Sequence, residues 1–541
     1  MGGLTTIKAC LITVLFLAFF LPAAHLAWTA RDMPQLGHFH DDGLYWVSAK
    51  SLAEGSGYRL LSLPGVPAAT KYPPLFPLYL SIVWRWSPSF PQNLPWLALF
   101  AWLPYPLLAV VVWRFFAELT LPRPARWLGC TLLALSPNVV FLSTVALSDL
   151  LFCSFVLMAL MLVERCLREE VSLWVVALAG ALAGVAYLTR SVAVLLLVSA
   201  PVAFLFRRKF RAASIFAASM MPAVLSWMIW TARNYAPDAP DAPGTDPALL
   251  YYTNYIGFFR RTVGIADLRA VFLMNVNQFF DSVGNLFLFG LDGSFFGVQL
   301  ARLLTFACIA GIVRLVAQGK ARHYALFGVL YSVILLFWNY GPTERLVLPI
   351  FPLLLAGFLT EMGHILQLLL RSWRDRKVSN RVAAVLAAAT VAAFAAYLAF
   401  ENQRTIRKGF PAFFEATRPV ARTNREAYGW ISANTPADAV FFAYNDPIFY
   451  LYTGRHACRI PPNPVDLYHQ DLPAVLNRFR RLDDFAAQWK LTHALLTDTD
   501  YDTDFPDSVR KQTTEILHRD PSLQTVASFP AASVRRFDLA H

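Results

Sequence analysis

RRKFRAASIFAASMMPAVLSWMIWTARNY, residues Arg207 to Tyr235, opens with four basic residues in five and then runs apolar over 213–232 before meeting Arg233. That run has the ~20 residues a helix needs to cross a bilayer. The pattern of a basic cluster followed by an apolar run recurs along the chain. Hydrophobic residues make up 57% of the 541 and charged residues only 15%, where a soluble chain is roughly a quarter charged. The sequence therefore reads as a polytopic α-helical membrane protein.

Eleven spans are expected, near 9–29, 94–117, 127–146, 150–165, 172–189, 191–206, 213–232, 296–316, 323–340, 346–367 and 382–400. The first is read as an uncleaved anchor. With the N-terminus in the cytoplasm, every basic cluster falls inside: Arg123 and Arg126; Arg165 and Arg168; Arg207 to Arg211; Arg314, Lys320 and Arg322; and Arg371 to Arg381. Such a bias is what orients spanning helices. It also accounts for the net charge of +12 without nucleic acid, for which an aromatic-interleaved basic stripe would be needed. The six cysteines show no CxxC spacing, so neither a zinc site nor a disulfide framework is expected.

Three pieces are then external. Residues 30–93 contain YPPLFPLYLSIVWRW (Tyr72 to Trp86), too short to span comfortably and read as an interfacial helix. Residues 233–295 begin with the loop NYAPDAPDAPGTDP and continue into FLMNVNQFFDSVGNLFLF, another interfacial helix. The tail, 401–541, is polar enough to fold as a small external α/β domain, with AVFFAY and HALLTD as buried strands. Its Asp446, His456 and His469 read as surface residues.

Topology gathers a set of ionisable residues on the external side. Asp41 and Asp42 begin the first loop, Asp149 lies at the outer end of a span, and Lys71 precedes two prolines. Arg190, Arg233, and Glu344 with Arg345 sit at other outer ends. Ionisable residues at membrane depth are functional candidates. Paired carboxylates supply a general base or hold a divalent cation, and clustered Lys and Arg suit a phosphate. The set fits transfer from a phosphate-linked donor to a nucleophile activated by an acid, and a sugar on a lipid phosphate is a natural donor at a membrane surface. No GxSxG elbow, P-loop or HExxH motif is present, and GSGY at Gly55 to Tyr58 is no dinucleotide fingerprint. Neither a cofactor nor a metal ligand set is assigned.

Taken together, DDGLYWVSAKSLAEGSGY, KYPP, ALSDLLF, GVAYLTRSVAV, WMIWTARNY and ERLVLPIFP resemble, in order, motifs of the GT-C class of lipid-phosphate-dependent glycosyltransferases. The similarity is greatest to the bacterial branch that includes protein O-mannosyltransferases and the lipid A aminoarabinose transferase. It covers roughly residues 1–370, with WISANTPADAVFFAY in the tail also similar.

The resemblance implies a polyprenyl-phosphate sugar donor and a lipid, glycan or protein acceptor. It implies inverting transfer on the periplasmic face of a bacterial inner membrane. By the same resemblance Asp41 is the catalytic acid acting as base, with Asp42 in place of the usual Glu. Asp149 is the second external acid, and Lys71, displaced by the inserted Tyr72, matches the lysine at the lipid phosphate. Arg190 sits where relatives have Lys or Arg, and Arg233 and Arg345 match basic positions and are read as phosphate contacts. Two other readings compete. A transporter or flippase predicts broken helices with midplane charges and an internal repeat. A non-catalytic assembly protein predicts dispensable external acids.

Overall fold

A computed structural model describes residues 20–235, 247–374 and 378–538. Residues 9–19 of the expected first span and 236–246 of the Pro/Asp loop lie outside the described residues. The chain is mainly helical. Among the described residues five helical stretches are long and apolar enough to cross a membrane: Leu94–Glu118, Asp149–Arg168, Phe210–Asn234, Phe295–Ala317 and Glu344–Arg371. Three shorter apolar helices, Leu173–Thr189, Ser191–Phe206 and Arg322–Phe337, also fall where spans are expected. Residues 20–29 and Val378–Arg404 are helical too.

The expected span at 127–146 is not one helix. It is Arg123–Ala134 followed by Pro137–Leu142, broken at Leu135 and Ser136. Pro137 has no N–H to donate, and its ring disfavours helical backbone at the residue before it. Residues 143–148 then turn into the helix that begins at Asp149.

Two of the basic clusters contact the ends of neighbouring helices. Lys209 Nζ donates to the Cys166 carbonyl at 2.8 Å, and Lys320 Nζ to Thr120 Oγ1 at 2.7 Å. Helices are present at both places where interfacial ones are expected, Leu75–Trp86 and Leu268–Phe287.

The tail builds a five-stranded sheet from β1 (Val440–Ala443), β2 (His456–Cys458), β3 (His493–Thr497), β4 (Leu523–Phe529) and β5 (Ala532–Phe537), in the order β2-β1-β3-β5-β4. β1 runs parallel to both β2 and β3, while β3–β5 and β5–β4 are antiparallel. AVFFAY and HALLTD are therefore the two neighbouring central strands.

This sheet does not stand apart from the helices. Phe442 and Cys458 share one hydrophobic core with Trp46, Phe152 and Phe351. The Ala457 N–H donates to the Ser62 carbonyl at 2.8 Å, and Arg418 pairs with Asp32 at 2.9 Å. The tail is seated on the first loop.

Candidate active site

The helix Asp41–Ala53 starts with its two acids in the first turn, where the exposed N–H groups and the helix dipole favour negative charge. They point different ways. Asp42 is fully buried, and one carboxylate oxygen accepts the Gly37 N–H at 2.8 Å. Its other oxygen, Oδ1, has no partner among the described residues. Asp41 instead faces Lys71, Tyr72 and Arg345.

Around Asp41 three segments converge. Arg345, at the start of the stretch Glu344–Arg371, reaches Asp41 at 3.2 Å and Asp149 at 3.5 Å, so one guanidinium bridges both acids. Its Nε is buried and makes no hydrogen bond among the described residues. Asp149 begins the helix Asp149–Arg168, is 1% exposed, and pairs with Arg190, which sits in the break between the helices ending at Thr189 and beginning at Ser191. Lys71 Nζ stands 4.0 Å from Asp41 and 3.6 Å from the Tyr251 ring centroid, with the Tyr255 ring at 5.0 Å and the Tyr72 ring at 5.2 Å. Aromatic faces attract an ammonium without discharging it.

Electrostatics separates the acid pair. Burial pushes the Asp41 carboxyl up, but Arg345, Lys71 and the Tyr72 hydroxyl outweigh it and hold the group down at about 2. Burial dominates at Asp42 and raises it to about 7, against the hydrogen bonds from the Gly37 and Gly43 N–H groups. Asp41 is thus an ionised carboxylate at neutral pH, while Asp42 exchanges its proton near neutrality.

Five of the eight residues singled out in the sequence meet here: Asp41, Asp149, Lys71, Arg190 and Arg345. Asp42 lies directly behind them. Arg233 does not join them; it is solvent-exposed at the end of the helix Phe210–Asn234. Glu344 turns to Asn285, 2.9 Å away. Among the described residues no group of three His, Cys, Asp or Glu side chains is placed to hold a metal ion.

The sequence reading missed a second layer. His40, immediately before Asp41, has Nε2 at 2.8 Å from Asp446 Oδ1, and the Tyr252 hydroxyl donates to that same oxygen at 2.8 Å. Ser62 donates to Asp446 Oδ2 at 3.2 Å. Asp446 is therefore fully buried, and the expectation that it is a surface residue is wrong: a carboxylate this deep needs partners, and three elements supply them. Arg459 reinforces the layer, bonding Asp504 at 3.0 Å and the Tyr251 hydroxyl at 3.2 Å. His456 is also tied down, by the Leu61 carbonyl at 3.1 Å, whereas His469 meets Asp267 in the open. The aromatic run YYTNY (Tyr251 to Tyr255) was the one signal for this layer in the sequence.

No protein-family model matches the chain, and no curated protein is significantly similar to it in sequence. Solved structures do match. ArnT from Cupriavidus metallidurans bound to undecaprenyl phosphate superposes with a TM-score of 0.53 at 15% identity, covering 97% of each chain. The archaeal oligosaccharyltransferase AglB from Archaeoglobus fulgidus, in complex with an inhibitory peptide and a dolichol-phosphate, gives 0.51 at 13% identity over 90% of this chain and 69% of its own. ArnT, a lipid A aminoarabinose transferase, and AglB are both GT-C glycosyltransferases. The chain has their fold, that of the GT-C membrane glycosyltransferases.

Proposed function

We propose that the chain is a glycosyltransferase that moves a sugar from a polyprenyl-phosphate donor to an acceptor hydroxyl on the external face of a bacterial inner membrane. In this reading the N-terminus is cytoplasmic and the tail from residue 401 is periplasmic. The observation that carries the proposal is the arrangement of Lys71, Arg190 and Arg345 around Asp41 and Asp149. Cations outnumber carboxylates by one, and Arg345 Nε has no partner among the described residues. A phosphate entering the cluster would find a forked donor in Arg345 and a point charge in Lys71. The solved structure of ArnT with bound undecaprenyl phosphate supports the same donor class.

The chemistry is one displacement. The acceptor oxygen attacks the anomeric carbon from the face opposite the phosphate, and its proton passes to Asp41 as the new C–O bond forms. The bond from the anomeric carbon to the phosphate oxygen breaks, and polyprenyl phosphate leaves with the electron pair. Configuration inverts, and no glycosyl-enzyme forms. Departure of a phosphate needs its charge stabilised more than it needs a proton, which is the task of Lys71 and Arg345.

Asp41 is a weak base while both cations lean on it. Sharing them with a phosphate relieves that hold and raises its basicity, so donor binding arms the base. Asp149 orients Arg190 and Arg345 and stands ready to position the acceptor. Lys71→Ala and Arg190→Ala should raise the donor KM more than the acceptor KM, measured by steady-state transfer with each substrate varied; a defect confined to the acceptor would contradict their phosphate role.

A further inference from the structure

The two oxygens of the Asp41 carboxylate have different partners. Oδ2 meets Arg345 at 3.2 Å, whereas Oδ1 accepts the Tyr72 hydroxyl and has Lys71 Nζ at 4.0 Å. Tyr72 is itself held from two directions. Its carbonyl accepts the Tyr58 hydroxyl at 2.9 Å, and its ring lies against Tyr45 with 4.8 Å between centroids. Tyr45 is 1% exposed, and its hydroxyl shares a hydrogen bond of 3.1 Å with Ser148 Oγ. Ser148 immediately precedes Asp149, so a line of contacts through Tyr45 and Tyr72 joins the start of the second acid's helix to the first acid.

The partners of Asp41 also differ in what a phosphate would do to them. Arg345 and Lys71 are cations, which an incoming phosphate draws toward itself. Tyr72 is a neutral donor: burial and then the Asp41 charge push its phenol well above the ordinary value, so it stays protonated. The last torsion of an aspartate side chain is broad, and a carboxylate released from its partners turns freely. A general base must keep its oxygen within hydrogen-bond reach of the proton it takes, and a small misplacement is costly. Asp41 therefore needs one donor that outlasts the arrival of the phosphate, and Tyr72 is placed to be it.

We propose that Tyr72 is a positioning residue for the transfer step: its hydroxyl holds Asp41 by Oδ1 and leaves Oδ2 to take the acceptor proton once a phosphate draws Arg345 away. The acceptor O–H bond breaks, with its proton going to Oδ2 and its electron pair to the new bond with the anomeric carbon. The phosphate oxygen leaves with the pair of the bond it held. Tyr72 keeps its own proton throughout. This role rests on the transferase reading; the hold of Tyr72 on Asp41 does not.

The test compares the full chain with Tyr72→Phe in nanodiscs, using undecaprenyl-phosphate sugars and crude membrane extract as acceptor source. The variant keeps the ring against Tyr45 and loses only the hydroxyl. Its kcat should fall about 10- to 100-fold, the worth of one hydrogen bond to a charged group, with donor KM unchanged within about twofold. The acid limb of kcat should move to higher pH, because Asp41 loses a donor that favours its charged form. That loss also makes Asp41 a stronger base, so a variant as fast as the wild type, or faster, would overturn the positioning role. A rise in donor KM alone would overturn it too. Should Tyr72→Phe fail to fold, Tyr45→Phe cuts the link to Ser148 and leaves Tyr72 in place; it should show the same split at smaller size, and normal kinetics there would sink the proposal. A second readout needs no transfer: the carboxyl-carbon NMR titration of Asp41, assigned by its loss in Asp41→Asn, with and without undecaprenyl phosphate. A midpoint raised by Tyr72→Phe in a protein that transfers nothing would keep the hold on Asp41 and remove the transferase. Transfer indifferent to Tyr72→Phe would keep the transferase and remove the role of Tyr72.

Discussion

The cluster around Asp41 and the layer around Asp446 meet at neighbouring residues, Asp41 and His40, yet they hold their carboxylates by different means. The first pairs every carboxylate with Lys or Arg and keeps these charges largely out of water. The second holds Asp446 by hydrogen bonds from the Tyr252 and Ser62 hydroxyls and by contact with the His40 ring. Buried charge is tolerated only when paired, and breaking a pair is expensive. Such a site is stable when empty and is disturbed by an incoming phosphate, whereas a hydrogen-bonded layer holds in place the loop that carries Asp41.

Arg345 carries the largest structural load in the charged site. Arg345→Met leaves Asp41 with Lys71 alone and Asp149 with Arg190 alone, and should cost about 3 kcal/mol of stability, read as a fall in melting temperature. Adding Asp149→Asn should restore part of that loss, and strict additivity of the two changes would break the picture of a shared guanidinium.

Next comes the layer that ties the tail to the loop. Asp446→Ala leaves His40, Tyr252 and Ser62 without their common acceptor, a cost of about 1–3 kcal/mol for an unsatisfied buried group. It should lower kcat for transfer with little change in donor KM, and hydrogen exchange should rise at residues 37–45. An effect on donor KM alone would place Asp446 elsewhere in the mechanism.

Asp42 should set a pH trend in stability. Its folded carboxyl lies near 7, above its ordinary value of 3.8, so the folded state holds the extra proton between those limits. Stability therefore falls as pH rises from about 4 to 7, with the penalty fully present above that range. Asp42→Asn should flatten this slope in thermal melts and leave the unfolding below pH 4 unchanged, because Asp41, held at about 2, loses its contribution only there. Arg233→Ala should alter transfer least, within about twofold, since its exposed side chain lies away from the cluster and surface substitutions are usually near neutral. A large loss would extend the charged site to the second loop.

Much of the fold was legible because lipid imposes length and composition on each span. The runs at 150–165, 213–232 and 296–316 are long helices in the structure. The break before Pro137 defeated the run at 127–146, where apolar composition continues but the backbone cannot. Asp41, Asp149, Lys71, Arg190 and Arg345 could be found because span parity assigns them to one side of the membrane. Arg233 met the same criterion and failed it, as parity fixes a side of the membrane but not a distance within it. Asp446 was illegible for a different reason: its bond to His40 closes 406 residues of chain, and no local pattern encodes such a contact. Tyr72 looked like an insertion that shifts Lys71 out of register, yet its hydroxyl donates to Asp41 while Lys71 still reaches the same carboxylate.

The most direct test gives purified protein in nanodiscs a panel of undecaprenyl-phosphate sugars with crude membrane extract as acceptor source. Mass spectrometry follows release of undecaprenyl phosphate by the wild type and by Asp41→Asn. The account predicts release from one donor by the wild type and a rate lower by about 10²–10⁴ in the variant, with folding intact. Equal release by the two proteins would remove Asp41 from the chemistry. Saturable donor binding with no release by either would contradict the transferase reading and favour a carrier of lipid-linked sugars.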